Sequence, residues 1–268
     1  MPDGEVIQIL IQTAVYVCAV LVGFVAGFVN TLAGNGSVIT LPMLMVLGLS
    51  AHEANATNRV GVVLSSFTGT ATFRRAGALE TKHLGWILVP SVLGGLAGAQ
   101  LPDHLDKRAM EIVLAGAMVV MLILVVAKPN RWIKGGTAEP NVRRFRTVLL
   151  LFAVSAYGGF IQAGVGVLLL ATLVLGCGYG LARANPLKVA IVFMLTVPAL
   201  AVYCWAGQVD LAYGLLMASG QVTGAWLAAR FATRHPQANV WVRRLLIVVI
   251  PLAIVKILFL NDLVLTAG

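Results

Sequence analysis

The chain has 268 residues, 59% hydrophobic and 11% charged, with a mean hydropathy of +0.93 and a formal net charge of +9. A soluble domain carries about 25% charged residues, so this chain cannot clothe a water-facing surface, and its apolar excess excludes disorder. An all-α, multi-pass helical membrane protein remains.

Polar interruptions mark ten apolar stretches: 6–32, 37–49, 56–73, 84–101, 110–127, 148–163, 165–181, 187–206, 211–230 and 241–260. Several reach the roughly 20 residues that a helix needs to cross about 30 Å of hydrocarbon. None alternates as a membrane β-strand would. The N-terminus is acidic (Asp3, Glu5) and lacks the basic start of a cleavable signal peptide, so the first stretch is expected to stay as a span.

The second stretch is too short to cross alone. Its start, after Gly34-Asn35-Gly36, must therefore lie below the membrane surface. Broken backbone is tolerated at that depth only inside protein or beside a water-filled cavity. A half-helix N-terminus there offers free N–H donors and a positive dipole end, which suits an anion, and Ser37 stands where it could cap that end. The competing reading is that the glycines only let helices pack closely.

At the start of the third stretch, Asn55, Asn58 and Arg59 share one helical face by i, i+3 and i+4 spacing, with Thr57 between them. Amide donors beside a cation suit an oxyanion. Arg183, Asn185 and Lys188 form a related set in the second half. The plainer alternative makes Arg59, Arg183 and Lys188 snorkelling interface anchors. Gly94-x-x-x-Gly98 and Gly220-x-x-x-Gly224 read as helix-packing motifs. Cys18, Cys177 and Cys204 all lie in apolar stretches and read as small hydrophobes.

Most of the 19 basic residues fall in three connections. Arg74, Arg75 and Lys82 follow the third stretch; Lys128, Arg131, Lys134, Arg143, Arg144 and Arg146 fill the centre; Arg230, Arg234, Arg243 and Arg244 lie where the last two stretches meet. Such clusters mark cytoplasmic loops, which puts loops 74–83, 128–147 and 230–244 inside and both termini outside the inner membrane. The charge therefore orients the spans and gives no sign of nucleic acid.

The two halves match at an offset of 130. Ala33-Gly34-Asn35-Gly36 meets Ala163-Gly164-Val165-Gly166, Ala54-Asn55 meets Ala184-Asn185, and Gly48, Gly77 and Gly94 meet Gly178, Gly207 and Gly224. Phe28-Val29-Asn30 resembles Phe160-Ile161-Gln162 with two extra residues in the first half. The expected organisation is an N-terminal repeat (1–127), a basic linker (128–147) and a C-terminal repeat (148–268). The Gly77 turn has basic neighbours and the Gly207 turn has only Asp210, so equivalent turns should lie on opposite faces. Inverted repeats of five segments each satisfy this, an arrangement common among secondary transporters.

The absences are also informative. The middle of each long stretch lacks Asp and Glu, which argues against a carboxylate relay. The sequence has no Walker A motif, and its four histidines lack ligand spacing, so neither ATP nor a metal or other cofactor is expected.

These motifs resemble the TauE/SafE family of membrane permeases. The resemblance rests on Gly27 to Pro42 (GFVNTLAGNGSVITLP), Ala54 to Asn58, Phe73 to Gly77, Gly159 to Gly166 (GFIQAGVG), Arg183 to Val189 (RANPLKV) and Ala206 to Asp210. It implies a bacterial-type inner-membrane permease that exports sulfur-containing anions such as sulfite or organosulfonates. The family's glycine motifs fall on Gly34, Gly36, Gly164 and Gly166, and its Thr-Asn element on Thr57 and Asn58. The pattern departs at Asn35, often glycine in the family, and at Leu187-Lys188. The expectation is then a secondary transporter working by alternating access, with substrate and lipid as its partners. Its substrate site is expected to draw on Asn30, Gly34, Asn35, Gly36, Ser37, Asn55, Thr57, Asn58, Arg59, Gln162, Gly164, Gly166, Arg183, Asn185 and Lys188. The alternatives are an anion channel, or a non-transporting scaffold that uses the basic central loop.

Overall fold

The computed structural model describes residues 2–126, 140–142 and 145–235, and every regular element among them is helical. In chain order these are α1 (Pro2–Ala33), α2 (Ser37–Val46), α3 (Ala51–Arg75), α4 (Leu84–Ala99), α5 (Lys107–Val126) and α6 (Phe145–Phe160). They are followed by α7 (Val165–Ala171), a π-helical turn over Thr172–Gly176, α8 (Leu181–Trp205) and α9 (Leu211–Arg234). Each apolar stretch up to 211–230 corresponds to one of these helices. The tenth stretch, most of the basic linker with Lys128, Arg131, Lys134, Arg143 and Arg144, and Arg243 and Arg244 lie outside the described residues.

Large apolar side chains lie on the outside in numbers that a soluble protein does not show, and several polar side chains lie inside with the apolar core. Ile9, Leu21, Val89 and Ile112 are each at least 60% exposed, while Asn55, Thr57, Asn58 and Arg59 are buried. An apolar outer surface over an interior that holds a buried polar cluster matches a hydrocarbon solvent. Gln8–Ala33 and Leu181–Trp205 are long and apolar enough to cross a bilayer.

The short stretches turn back. After α1, Gly34 adopts φ +79°, which is open to glycine and strained for other residues, and redirects the chain. Gly36 then lies against the Ala26 carbonyl and the Asn30 side chain, so α2 runs back along α1. Leu47 and Gly48 (φ +98°) turn the chain again. Ser50 caps α3 in a reciprocal box with Glu53, which fixes the next entry angle. The second half repeats the manoeuvre. Gly164 (φ +71°) ends the link after α6, Val165 packs on Gly158, and the Asn141 N–H donates to the Cys177 carbonyl at 2.9 Å beside the start of α6. Each of α1–α2 and α6–α7 is thus a hairpin, and the two hairpin tips meet where Gly34 and Gly166 touch backbone to backbone.

Parallel pairs of helices flank these tips. Gly27, Gly220 and Gly224 bring α1 against α9, and Gly94, Gly98 and Gly159 bring α4 against α6. At each of these glycines an added Cβ would collide with the facing backbone, so both G-x-x-x-G motifs lie at helix crossings. In the centre α3 and α8, of 25 residues each, run antiparallel: Asn55 meets Tyr203, and Gly69 meets Val189. The two helices begin 130 residues apart and end 130 apart. The positive-φ glycines pair at the same spacing, Gly34 with Gly164, Gly48 with Gly178 and Gly77 with Gly207.

Candidate functional site

The carbonyl end of α6 is the first part of the site. The last turn of a helix leaves carbonyls without intrahelical partners and carries the negative end of its dipole. Arg59, fully buried on α3, is aimed at that end. Its Nη1 donates to Gly158 O (3.0 Å) and to Gln162 Oε1 (3.1 Å), and its Nη2 to Gly159 O (2.7 Å) and Phe160 O (3.2 Å). The guanidinium also lies 4.4 Å from the Tyr203 ring centroid, and the Tyr203 hydroxyl donates to the same carbonyls. Asn55 adds a bond from Nδ2 to Phe160 O at 2.9 Å and accepts from the Gln162 N–H at 3.4 Å. Asn55, Arg59 and Gln162 therefore form one cluster around a helix terminus.

The carbonyl end of α1 receives the same treatment from the other long helix. Lys188, buried on α8, donates from Nζ to Asn30 O (2.9 Å) and Thr31 O (2.8 Å). Its position is that of Asn58 displaced by 130. Beside it is a cavity of about 10 Å³, the room one water needs, lined by Asn30, Thr31, Ser66, Lys188, Val189 and Val192.

Asn35 occupies the tip of the first hairpin. It is 1% exposed, and both its amide oxygen and its amide nitrogen lack a hydrogen-bond partner among the described residues. A buried amide left unpaired costs about 1–3 kcal/mol, so the position is one that a ligand would satisfy. Ser37 does not cap α2. Gly36 is the cap, without a side-chain bond, and the Ser37 hydroxyl instead accepts from Asn58 Nδ2 at 3.1 Å. Asn58 is thereby drawn toward α2, where Thr40 donates to its Oδ1 at 2.6 Å, and it leaves the face that Asn55 and Arg59 share.

The remaining expected residues are placed as follows. Thr57 accepts from the Asp210 N–H at 2.9 Å, tying the α8–α9 turn to α3. Asn185 is buried with its Oδ1 unpaired. Gly164 and Gly166 belong to the second tip. Arg183 is apart from the others: its side chain is half exposed and pairs with Glu80 at 2.6 Å. Snorkelling fits neither Arg59 nor Lys188, since both are inside. Sequence reasoning missed Tyr203, Thr40, Thr31 and Ser66. Of these, Thr31 and Thr40 lie within the Gly27 to Pro42 motif and Tyr203 is the offset partner of Phe73. The buried polar residues described include Arg59 and Lys188 but no Asp or Glu. No group of His, Cys, Asp and Glu that could hold a metal occurs among the described residues.

Comparison with known proteins finds a family and several relatives. The family model "Sulfite exporter TauE/SafE" matches residues 19–257. The chain is 27% identical over 212 residues to a probable membrane transporter protein, ORF9, of a Sinorhizobium species, covering 78% of this chain and 80% of the relative. It is 24% identical over 241 residues to the probable membrane transporter protein YfcA of Escherichia coli K12, covering 89% and 87%. To YdhB of Bacillus subtilis, also a probable membrane transporter protein, it is 23% identical over 223 residues, covering 81% and 89%. No solved structure matches the chain.

Proposed function

Since the chain belongs to the TauE/SafE sulfite exporter family, a family of membrane transporters, we propose that it carries a small anion by alternating access. Sulfite or an organosulfonate is the substrate, and the direction is export across the inner membrane. The observation that carries this reading is the sign of the buried charge. The buried polar residues described include two cations and no carboxylate, so the interior favours a negative guest and disfavours a positive one. Asn35 and the first N–H groups of α2 supply neutral donors to the same guest, because a helix N-terminus attracts negative charge.

The two halves, 1–127 and 148–268, act as repeats inverted across the membrane and joined by the basic linker 128–147. The antiparallel course of α3 and α8 and the paired turn glycines support this arrangement, and the basic residues favour loops 74–83, 128–147 and 230–244 in the cytoplasm with both termini outside. Rocking one repeat against the other would expose the tips to each side in turn.

Thermal unfolding of the detergent-purified protein tests the sign of the substrate. Sulfite or ethanesulfonate should raise the melting temperature. A ligand at a hundred times its Kd stabilises by about 2.7 kcal/mol. Potassium or choline should not raise it, and Asn35→Ala should lose the response to the anion. Stabilisation by the cations alone would contradict the proposal.

A further inference from the structure

Arg59 and Lys188 do the same job at the carbonyl ends of two helices, but with different head groups. Arg59 is held by carbonyls of Gly158, Gly159 and Phe160, by the Gln162 amide and by the ring of Tyr203. A planar guanidinium fixed on several sides cannot turn to a new partner without losing all of them. Lys188 is an ammonium on a flexible stem. It bonds two adjacent carbonyls of α1 and borders the small cavity that it shares with Ser66.

We infer that Lys188 is an exchangeable cap, holding the carbonyl end of α1 when the carrier is empty and turning to the anion when it is loaded. This rests on the reading of the chain as an anion carrier. The consequence concerns the empty carrier. A buried cation with nothing to offset it is costly to enclose, and a carrier with such a site could change sides only while loaded. Here the negative end of α1 offsets Lys188 whenever the anion is absent. The empty carrier can therefore return, and transport is net movement and not obligatory exchange. Arg59 is a positioning residue that holds the α6 terminus and never touches the anion. The equivalent of Lys188 in the first half is Asn58, neutral and held by Ser37 and Thr40. The exchange therefore belongs to one repeat only.

The test uses proteoliposomes loaded with sulfite, or with ethanesulfonate, and diluted into buffer with or without the same anion outside. Comparable initial efflux in both buffers is expected for the wild type. Lys188→Gln keeps a donor for the α1 carbonyls and removes the charge. It should raise KM about tenfold or more, the loss expected when a hydrogen bond to a charged group becomes neutral. Its melting temperature without sulfite should stay near the wild-type value. Arg59→Lys, which gives up the planar fork, should lower the melting temperature. Wild-type efflux that occurs only with anion outside would overturn the inference while leaving anion transport standing, and it needs no variant to fold. A wild-type KM in Lys188→Gln would overturn it equally. No movement of either anion in any buffer would remove the parent reading as well.

Discussion

Arg59 shows what a residue's neighbours decide and its spacing does not. The i, i+4 interval placed Asn55 and Arg59 on one face, and both do reach one target. That target is a helix terminus of the same chain, supplied by residues about 100 positions away, which no local pattern reveals. Asn58 was expected beside them and is pulled aside by Ser37 and Thr40, because the chain doubles back through α2. Asn35 was legible as a polar residue in a glycine-broken turn, whereas its lack of partners depends on the packing of both tips. If Arg59 is the lock on α6, Arg59→Met takes from the Gly158 carbonyl and the Gln162 amide oxygen the donor they have here, at about 1–3 kcal/mol each. The purified variant should then melt well below the wild type or fail to accumulate. A melting temperature equal to the wild type's would show that the α6 terminus needs no cap.

Among the elements, the glycines separate into those that touch and those that do not. Gly98 faces the Ala156 carbonyl so closely that a Cβ cannot enter, while Gly116 on α5 has nothing within 4 Å. Gly98→Leu should therefore separate α4 from α6 and lower the melting temperature by several degrees, as an overpacked interface costing about 1–3 kcal/mol would. Gly116→Ala should be neutral or stabilising, since alanine is favoured over glycine in a helix by about 1 kcal/mol. Equal effects from the two would refute the assignment of the α4–α6 crossing. The order of the helices up to α9, the turn glycines and both G-x-x-x-G motifs were legible from apolar runs and spacing, but α3 is longer and α7 shorter than its apolar run. That α2 and α7 turn back was not, since a short apolar run has the same composition in either direction. Only contacts such as Gly36 on Ala26 and Asn141 on Cys177 decide it.

For the whole molecule, an even folding pattern and an uneven charge pattern combine. The turns after α3 and after α8 are the same structure 130 residues apart, and only the first has basic neighbours. Ala76 and Ala206 are exposed at equivalent places on these turns. Cysteines introduced there singly, with Cys18, Cys177 and Cys204 replaced, should react with an impermeant maleimide from opposite sides of the membrane. Labelling of both from one side would rule out inverted repeats. The claim on which the account depends is that this helical bundle, with cations and no acids among its described buried residues, moves an anion. The most direct measurement is sulfite flux through proteoliposomes of the purified protein. The account predicts saturable flux that ethanesulfonate competes away and potassium does not affect. Sulfite flux no faster than in protein-free liposomes would contradict it.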